Sequence, residues 1–168
     1  MPLSSCDPQR MMFAMSRAFV KESDHDGAEL PERAISPHPN LVTARGQALL
    51  EARVRELEAE RSAARTADDA VALARIARDL RYFQARRDSA RLVTPVAQPE
   101  QVRFGVRVLL RLPGGVERAF QLVGEDEADP KAGLISYVSP LAKALMGKGV
   151  GEQLPFGAHS AEILALQS

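Results

Sequence analysis

Residues 43–92 read TARGQALLEARVRELEAERSAARTADDAVALARIARDLRYFQARRDSARL, and the spacing of their apolar side chains decides the fold. Leu50, Val54, Leu57 and Ala64 recur at steps of four, three and seven. Leu73, Ile76, Leu80, Phe83 and Ala90 step by three, four, three and seven. Each run is a narrow stripe of the a/d kind, suited to a coiled-coil seam rather than to a broad globular face. The intervening Arg65-Thr66-Ala67-Asp68-Asp69 is long enough only for a reversal. Two helices joined so briefly pack antiparallel. Thr43 is the expected N-cap of the first helix, and Thr66, Asp68 or Asp69 that of the second. The first arm, 44–64, would reach about 30 Å at ~1.5 Å per residue. Gly46 in its first turn is a mild cost that packing explains more simply than function.

Downstream the period changes. Thr94-Pro95 stops the second helix, and residues 95–100 form a short linker. Phe104, Val106, Val108 and Leu110 then alternate with Gly105, Arg107, Leu109 and Arg111, the pattern of a half-buried strand. Pro113-Gly114-Gly115 turns the chain into a second strand, 116–123. An acidic loop follows (Gly124-Glu125-Asp126-Glu127-Ala128-Asp129-Pro130), then a third strand at 134–137. Ser139-Pro140 supplies the cap and first-turn proline of a short helix that Gly147 closes. Two more strands, 153–156 and 161–166, flank the turn Gly157-Ala158-His159. The class is α+β: an N-terminal antiparallel coiled-coil hairpin (41–94), a linker (95–100), and an antiparallel sheet with one short helix (101–168).

Upstream, residues 1–40 read as a disordered or extended tail. The stretch 22–40 is acidic, holds Pro31, Pro37 and Pro39, and shows no sustained periodicity. Met15, followed by Ser16-Arg17-Ala18-Phe19, offers an alternative translation start.

Composition excludes several function classes. The 22 basic and 22 acidic side chains cancel, so no global field draws the chain to nucleic acid or membrane. Cys6 is the single cysteine, which rules out an intramolecular disulfide and points to a reducing compartment. No apolar run approaches the roughly 20 residues of a membrane span. A cytoplasmic, monomeric protein without membrane attachment is the expectation. His25, His38 and His159 are scattered without neighbouring ligands, so neither a zinc site nor any other cofactor is expected. Cys6 has no nearby His, and neither Gly-x-Ser-x-Gly nor a Gly-rich phosphate loop occurs. The chain assembles no active site of its own and reads as a non-enzyme.

Two features remain open to chemistry. The tip pair Asp68 and Asp69 fits helix capping, and equally fits a carboxylate carried on a rod to a Mg²⁺ site elsewhere. The second arm carries Arg75, Arg78, Arg81, Arg86, Arg87 and Arg91 against Asp79 and Asp88. A solvated, salt-bridged face is the plainer reading; an RNA-contacting stripe through Arg75, Arg78 and Arg81 is the other.

The C-terminal motifs are familiar. Phe104-Gly105, then Leu122-Val123-Gly124-Glu125-Asp126-Glu127-Ala128-Asp129, then Leu134-Ile135-Ser136-Tyr137-Val138-Ser139-Pro140-Leu141-Ala142-Lys143-Ala144-Leu145-Met146-Gly147-Lys148 resemble the bacterial transcript-cleavage factors of the GreA/GreB family. Thr43-Ala44-Arg45-Gly46 before a Leu-rich helix is similar to the start of that family's coiled coil. The resemblance implies an FKBP-like C-terminal domain without isomerase activity. It further implies binding to RNA polymerase at the secondary channel, with the hairpin inserted. By similarity, the docking surface includes Asp126, Glu127, Ser139 and Pro140, and the tip carboxylates Asp68 and Asp69 would help hold the polymerase's Mg²⁺, whose chemistry belongs to the polymerase. Two departures count against cleavage. The family's second tip acid, three residues on, is replaced by Val71 or Ala72, and each arm is several turns shorter. The expectation is a modulator of elongation. An Rnk-like regulator of nucleoside diphosphate kinase, or a non-transcriptional interaction module, is the alternative.

Overall fold

The computed structural model describes residues 30–168. Expectations placed on Cys6, Met15, His25 and the first 29 residues of the tail lie outside the described residues.

Thr43 caps helix α1 (Ala44–Thr66) from an extended backbone, its Oγ1 accepting from Gly46 N at 2.9 Å. At ~1.5 Å per residue the helix is about 34 Å long. The reversal uses its two aspartates differently. Asp68 takes φ 52°, a left-handed conformation that Asp tolerates better than most side chains. Asp69 stays extended and caps α2 (Ala70–Asp88), its Oδ1 accepting from Ala72 N at 2.9 Å. Val54, Leu57 and Ala64 of α1 pack against Ile76 and Leu80 of α2, with Leu73 and Phe83 partly buried beside them. This is the expected seam, and Leu50 is buried at its lower end.

At the base of the hairpin, β1 (Leu41–Val42) pairs in parallel with β2 (Arg91–Leu92). The chain entering α1 is thereby tied to the chain leaving α2. Two-residue strands carry no periodicity, so this ladder left no sequence signal.

The C-terminal unit, or head, contains β3 (Arg107–Arg111), β4 (Glu117–Val123), β5 (Leu134–Ser136), α3 (Pro140–Leu145), β6 (Gln153–Phe156) and β7 (His159–Gln167). The sheet order is β5-β4-β3-β7-β6. Here the α+β expectation holds with one difference: β4 and β5 pair in parallel, so the sheet is mixed. The acidic stretch after β4 is not a simple hairpin loop. It winds through two 3₁₀ turns, Glu125–Glu127 and Pro130–Ala132, and steps the chain back to the level of Gln121, where Leu134 opens β5 beside the last three residues of β4. Such a crossover forces the next strand to run alongside β4 rather than against it. A bulge in β7 opposite Leu109/Leu110 bends the central ladder.

The period-two pattern finds its buried face as expected: Val106, Val108 and Leu110 lie inward with Phe120, Leu122, Ile135, Leu154 and Ile163. Helix α3 closes that face with Ala142 and Leu145, both fully buried. Truncating a Leu so placed typically costs about 2–5 kcal/mol. Hairpin seam and sheet core are two separate apolar clusters, so the joint between them is a distinct structural question.

Candidate functional site

A polar network crosses that joint beside the buried Val42. Glu127, in the 3₁₀ turn after β4, points into the base of α1 with only 4 % of its side chain exposed. Its Oε2 accepts from Thr43 Oγ1 at 2.6 Å, and its Oε1 lies 3.5 Å from the Arg45 guanidinium. Thr43 therefore serves two partners, capping α1 and anchoring the head. Gly46 leaves the space: a Cβ there would stand 2.6 Å from Glu127 Oε2. Gly124 allows a second close approach, since a Cβ would meet the Leu41 carbonyl oxygen at 2.6 Å.

Arg86 of α2 completes the joint. Its side chain is 2 % exposed; Nε donates to Asp126 Oδ2 at 2.5 Å, and Nη2 lies 3.4 Å from Glu125 Oε2. Tyr82, one turn earlier, donates its hydroxyl proton to Asp126 Oδ1 at 2.8 Å. Burial, then that hydrogen bond, pushes the Tyr82 pKa up. A buried guanidinium is tolerable only because its charge is met at close range; stripping one partner from such a group typically costs about 3–5 kcal/mol.

Residues 30–40 brace the same place. Asn40 Nδ2 donates to the Arg86 carbonyl at 2.5 Å, and the Tyr137 hydroxyl donates to the Pro39 carbonyl. Burial raises the Tyr137 pKa, with the nearby Glu125 charge adding to it. Arg33 lies 3.9 Å above the Tyr82 ring and 3.6 Å from Asp79.

The far end of the hairpin is simpler. Asp68 and Asp69 are both exposed, with Asp69 engaged as a cap. The arginines of α2 have ionic partners: Arg75 with Glu60 at 3.6 Å, Arg78 with Asp79 at 3.1 Å, and Arg81 with Glu32. On the head, Ser139 caps α3 by accepting from Ala142 N at 3.3 Å, and Pro140 is exposed beside it. Among the described residues no three His, Cys, Asp or Glu side chains converge as a metal site, and no helix is long and apolar enough to cross a membrane.

Residues 97–166 match the family model described as transcription elongation factor, GreA/GreB, C-term. The C-terminal domain belongs to the GreA/GreB family. Transcription elongation factor GreA of Agrobacterium fabrum is 46 % identical over 72 residues, which is 40 % of this chain and 46 % of that protein. GreA of Alkalilimnicola ehrlichii is 38 % identical over 95 residues, covering 52 % of this chain and 60 % of its own. The chain thus spans about half the length of the curated relatives it matches. Among solved structures, GreA factor homolog 1 (Gfh1) of Thermus thermophilus aligns over 78 % of this chain and 100 % of its own, at 21 % identity and a TM-score of 0.38. A GreA/GreB factor from Nitrosomonas europaea covers 76 % of this chain and 98 % of its own, at 20 % identity and a TM-score of 0.37.

Seen within a GreA/GreB domain, the acidic loop has an inward role that spacing did not reveal. Asp126 and Glu127 hold the hairpin, and Arg86, Tyr82, Thr43 and Asn40 are the residues that sequence reasoning left without a role at the joint. The one trace is Arg86 itself, which sits three residues past the seam residue Phe83, on the flank of the buried stripe.

Proposed function

We propose that this chain is a Gre-family transcription elongation factor that docks on RNA polymerase through its GreA/GreB domain and inserts the hairpin into the secondary channel, modulating elongation. What carries the reading is the pairing of that domain with a two-helix projection whose tip keeps Asp68 in solvent. Exposed Pro140, the capped start of α3, and the solvent-facing edge of the Asp126–Glu127 turn form the docking face in this proposal. The protein acts as a monomer in the cytoplasm.

Modulation is favoured over transcript cleavage. Only one tip carboxylate is uncommitted, since Asp69 caps α2, and Val71 and Ala72 stand where a further acid would be needed. A single ligand at the end of a shortened arm would hold Mg²⁺ and water poorly, and catalysis is sensitive to displacements of about 1 Å.

Co-purification with core RNA polymerase tests the reading, with binding at moderate salt expected. Retention of nucleoside diphosphate kinase without polymerase would replace it with the Rnk-like alternative. In stalled complexes, RNA 3′ ends should stay uncut while elongation rate or pausing changes. Shortened transcripts that disappear with an Asp68→Ala, Asp69→Ala double substitution would restore cleavage.

A further inference from the structure

We propose that the polar joint centred on Arg86 and Glu127 is the positioning element of this protein, fixing the angle at which the hairpin leaves the head and hence where Asp68 arrives. The inference rests on reading the hairpin as an inserted probe, and its structural half stands without that reading.

Three observations carry it. First, the seam and the sheet core are separate apolar clusters that share no residue, so the two units do not merge into one core. Second, the groups that bridge them are directional and charged: Glu127 to Thr43 at 2.6 Å, Arg86 to Asp126 at 2.5 Å, and Tyr82 to Asp126 at 2.8 Å. Hydrogen bonds to ionised groups tolerate little angular error, whereas an apolar patch would let the helices slide. Glu127 meets the start of α1 at Thr43 while Asp126 meets Arg86 near the end of α2, so the head grips the two arms separately and rotation about either contact is opposed by the other. Third, the hairpin is a lever. At a length of about 34 Å, a rotation of ~10° at the base would move the tip by about 6 Å, more than a helical turn.

Arg86 and Glu127 touch neither substrate nor metal in this scheme; they act through the placement of the tip. The segment 30–40 adds a brace from outside, with Asn40 on the Arg86 carbonyl and Arg33 stacked on Tyr82.

The test is a tip-to-head distance distribution on the full chain, with spin labels at Ala67→Cys and His159→Cys in a Cys6→Ser background. The parent should give a single narrow distribution. Arg86→Met, which keeps the aliphatic stem, and Glu127→Gln, which keeps the shape, should each broaden or shift it while helix and sheet content by circular dichroism stays unchanged. Distributions as narrow as the parent's, at the same distance, in both variants would overturn the proposal. If Arg86→Met loses its secondary structure, Glu127→Gln alone decides. In polymerase assays Arg86→Met, which lies outside the docking face, should lose the effect on elongation while retaining most of the affinity, a split that a general loss of folding would not produce. If the parent fails to bind polymerase, the functional reading falls, and the distance measurement still judges the joint.

Discussion

Thr43 Oγ1 accepts from Gly46 N at 2.9 Å and donates to Glu127 Oε2 at 2.6 Å, so one hydroxyl both starts the hairpin and fastens it to the head. Thr43→Val removes the cap and leaves a buried carboxylate short of a donor. With an N-cap worth about 1 kcal/mol and a hydrogen bond to a charged group about 1.5–3 kcal/mol, a loss of roughly 2–4 kcal/mol is expected. Thr43→Ser should recover most of it. Urea unfolding of the three proteins measures the difference.

Gly46 and Gly124 should respond differently to alanine. At Gly46 the obstacle is the Glu127 carboxylate, a side-chain end that can swing aside at the expense of its hydrogen bond. Gly46→Ala should therefore destabilise the parent. In a Glu127→Ala background its sign should reverse, to a gain of up to about 1 kcal/mol from helix propensity. At Gly124 the obstacle is the backbone oxygen of Leu41, which cannot step away alone. Gly124→Ala should cost about 1–3 kcal/mol in either background. A double-mutant cycle separates the two cases.

The chain holds two tyrosines and no tryptophan, so absorbance at alkaline pH reads Tyr82 and Tyr137 alone. Both have raised pKa values, burial being the leading cause. Their neutral forms are favoured in the folded state, so the stability they contribute is fully present below the unfolded tyrosine pKa of about 10 and is lost as pH rises through the folded values. Both should ionise later than free tyrosine. Tyr82→Phe should remove one of the two titrations and lessen the alkaline loss of stability.

At the tip, the two aspartates should separate by substitution. Asp69→Ala removes the bond to Ala72 N and should cost about 1 kcal/mol. Asp68→Asn keeps a side chain that accepts φ 52° and should leave the melting temperature nearly unchanged. Any effect of Asp68→Asn on elongation assays then reports the lost charge. An equal fall in stability for both variants would show that the division of labour is misassigned.

Periodicity, caps and turn residues are local signals, and what they encode was legible in the chain: the seam residues from Leu50 to Phe83, the capping by Thr43 and Ser139, the inward face of β3, and the motifs of the GreA/GreB domain; of the three candidate caps for α2, the structure chose Asp69. Four acids in five positions (125–129) ordinarily seek water, yet Asp126 and Glu127 turn toward the hairpin. Their partners lie 40 and 84 residues away, at Arg86 and Thr43, and no spacing within the loop encodes them. The parallel course of β5 and the β1–β2 ladder escaped for the same reason, since strands of two or three residues carry too few side chains to show a period. Local sequence therefore determined the two units, and only the tertiary structure decided how they are joined, because charge pairing across a joint depends on distances that exist once both sides have folded.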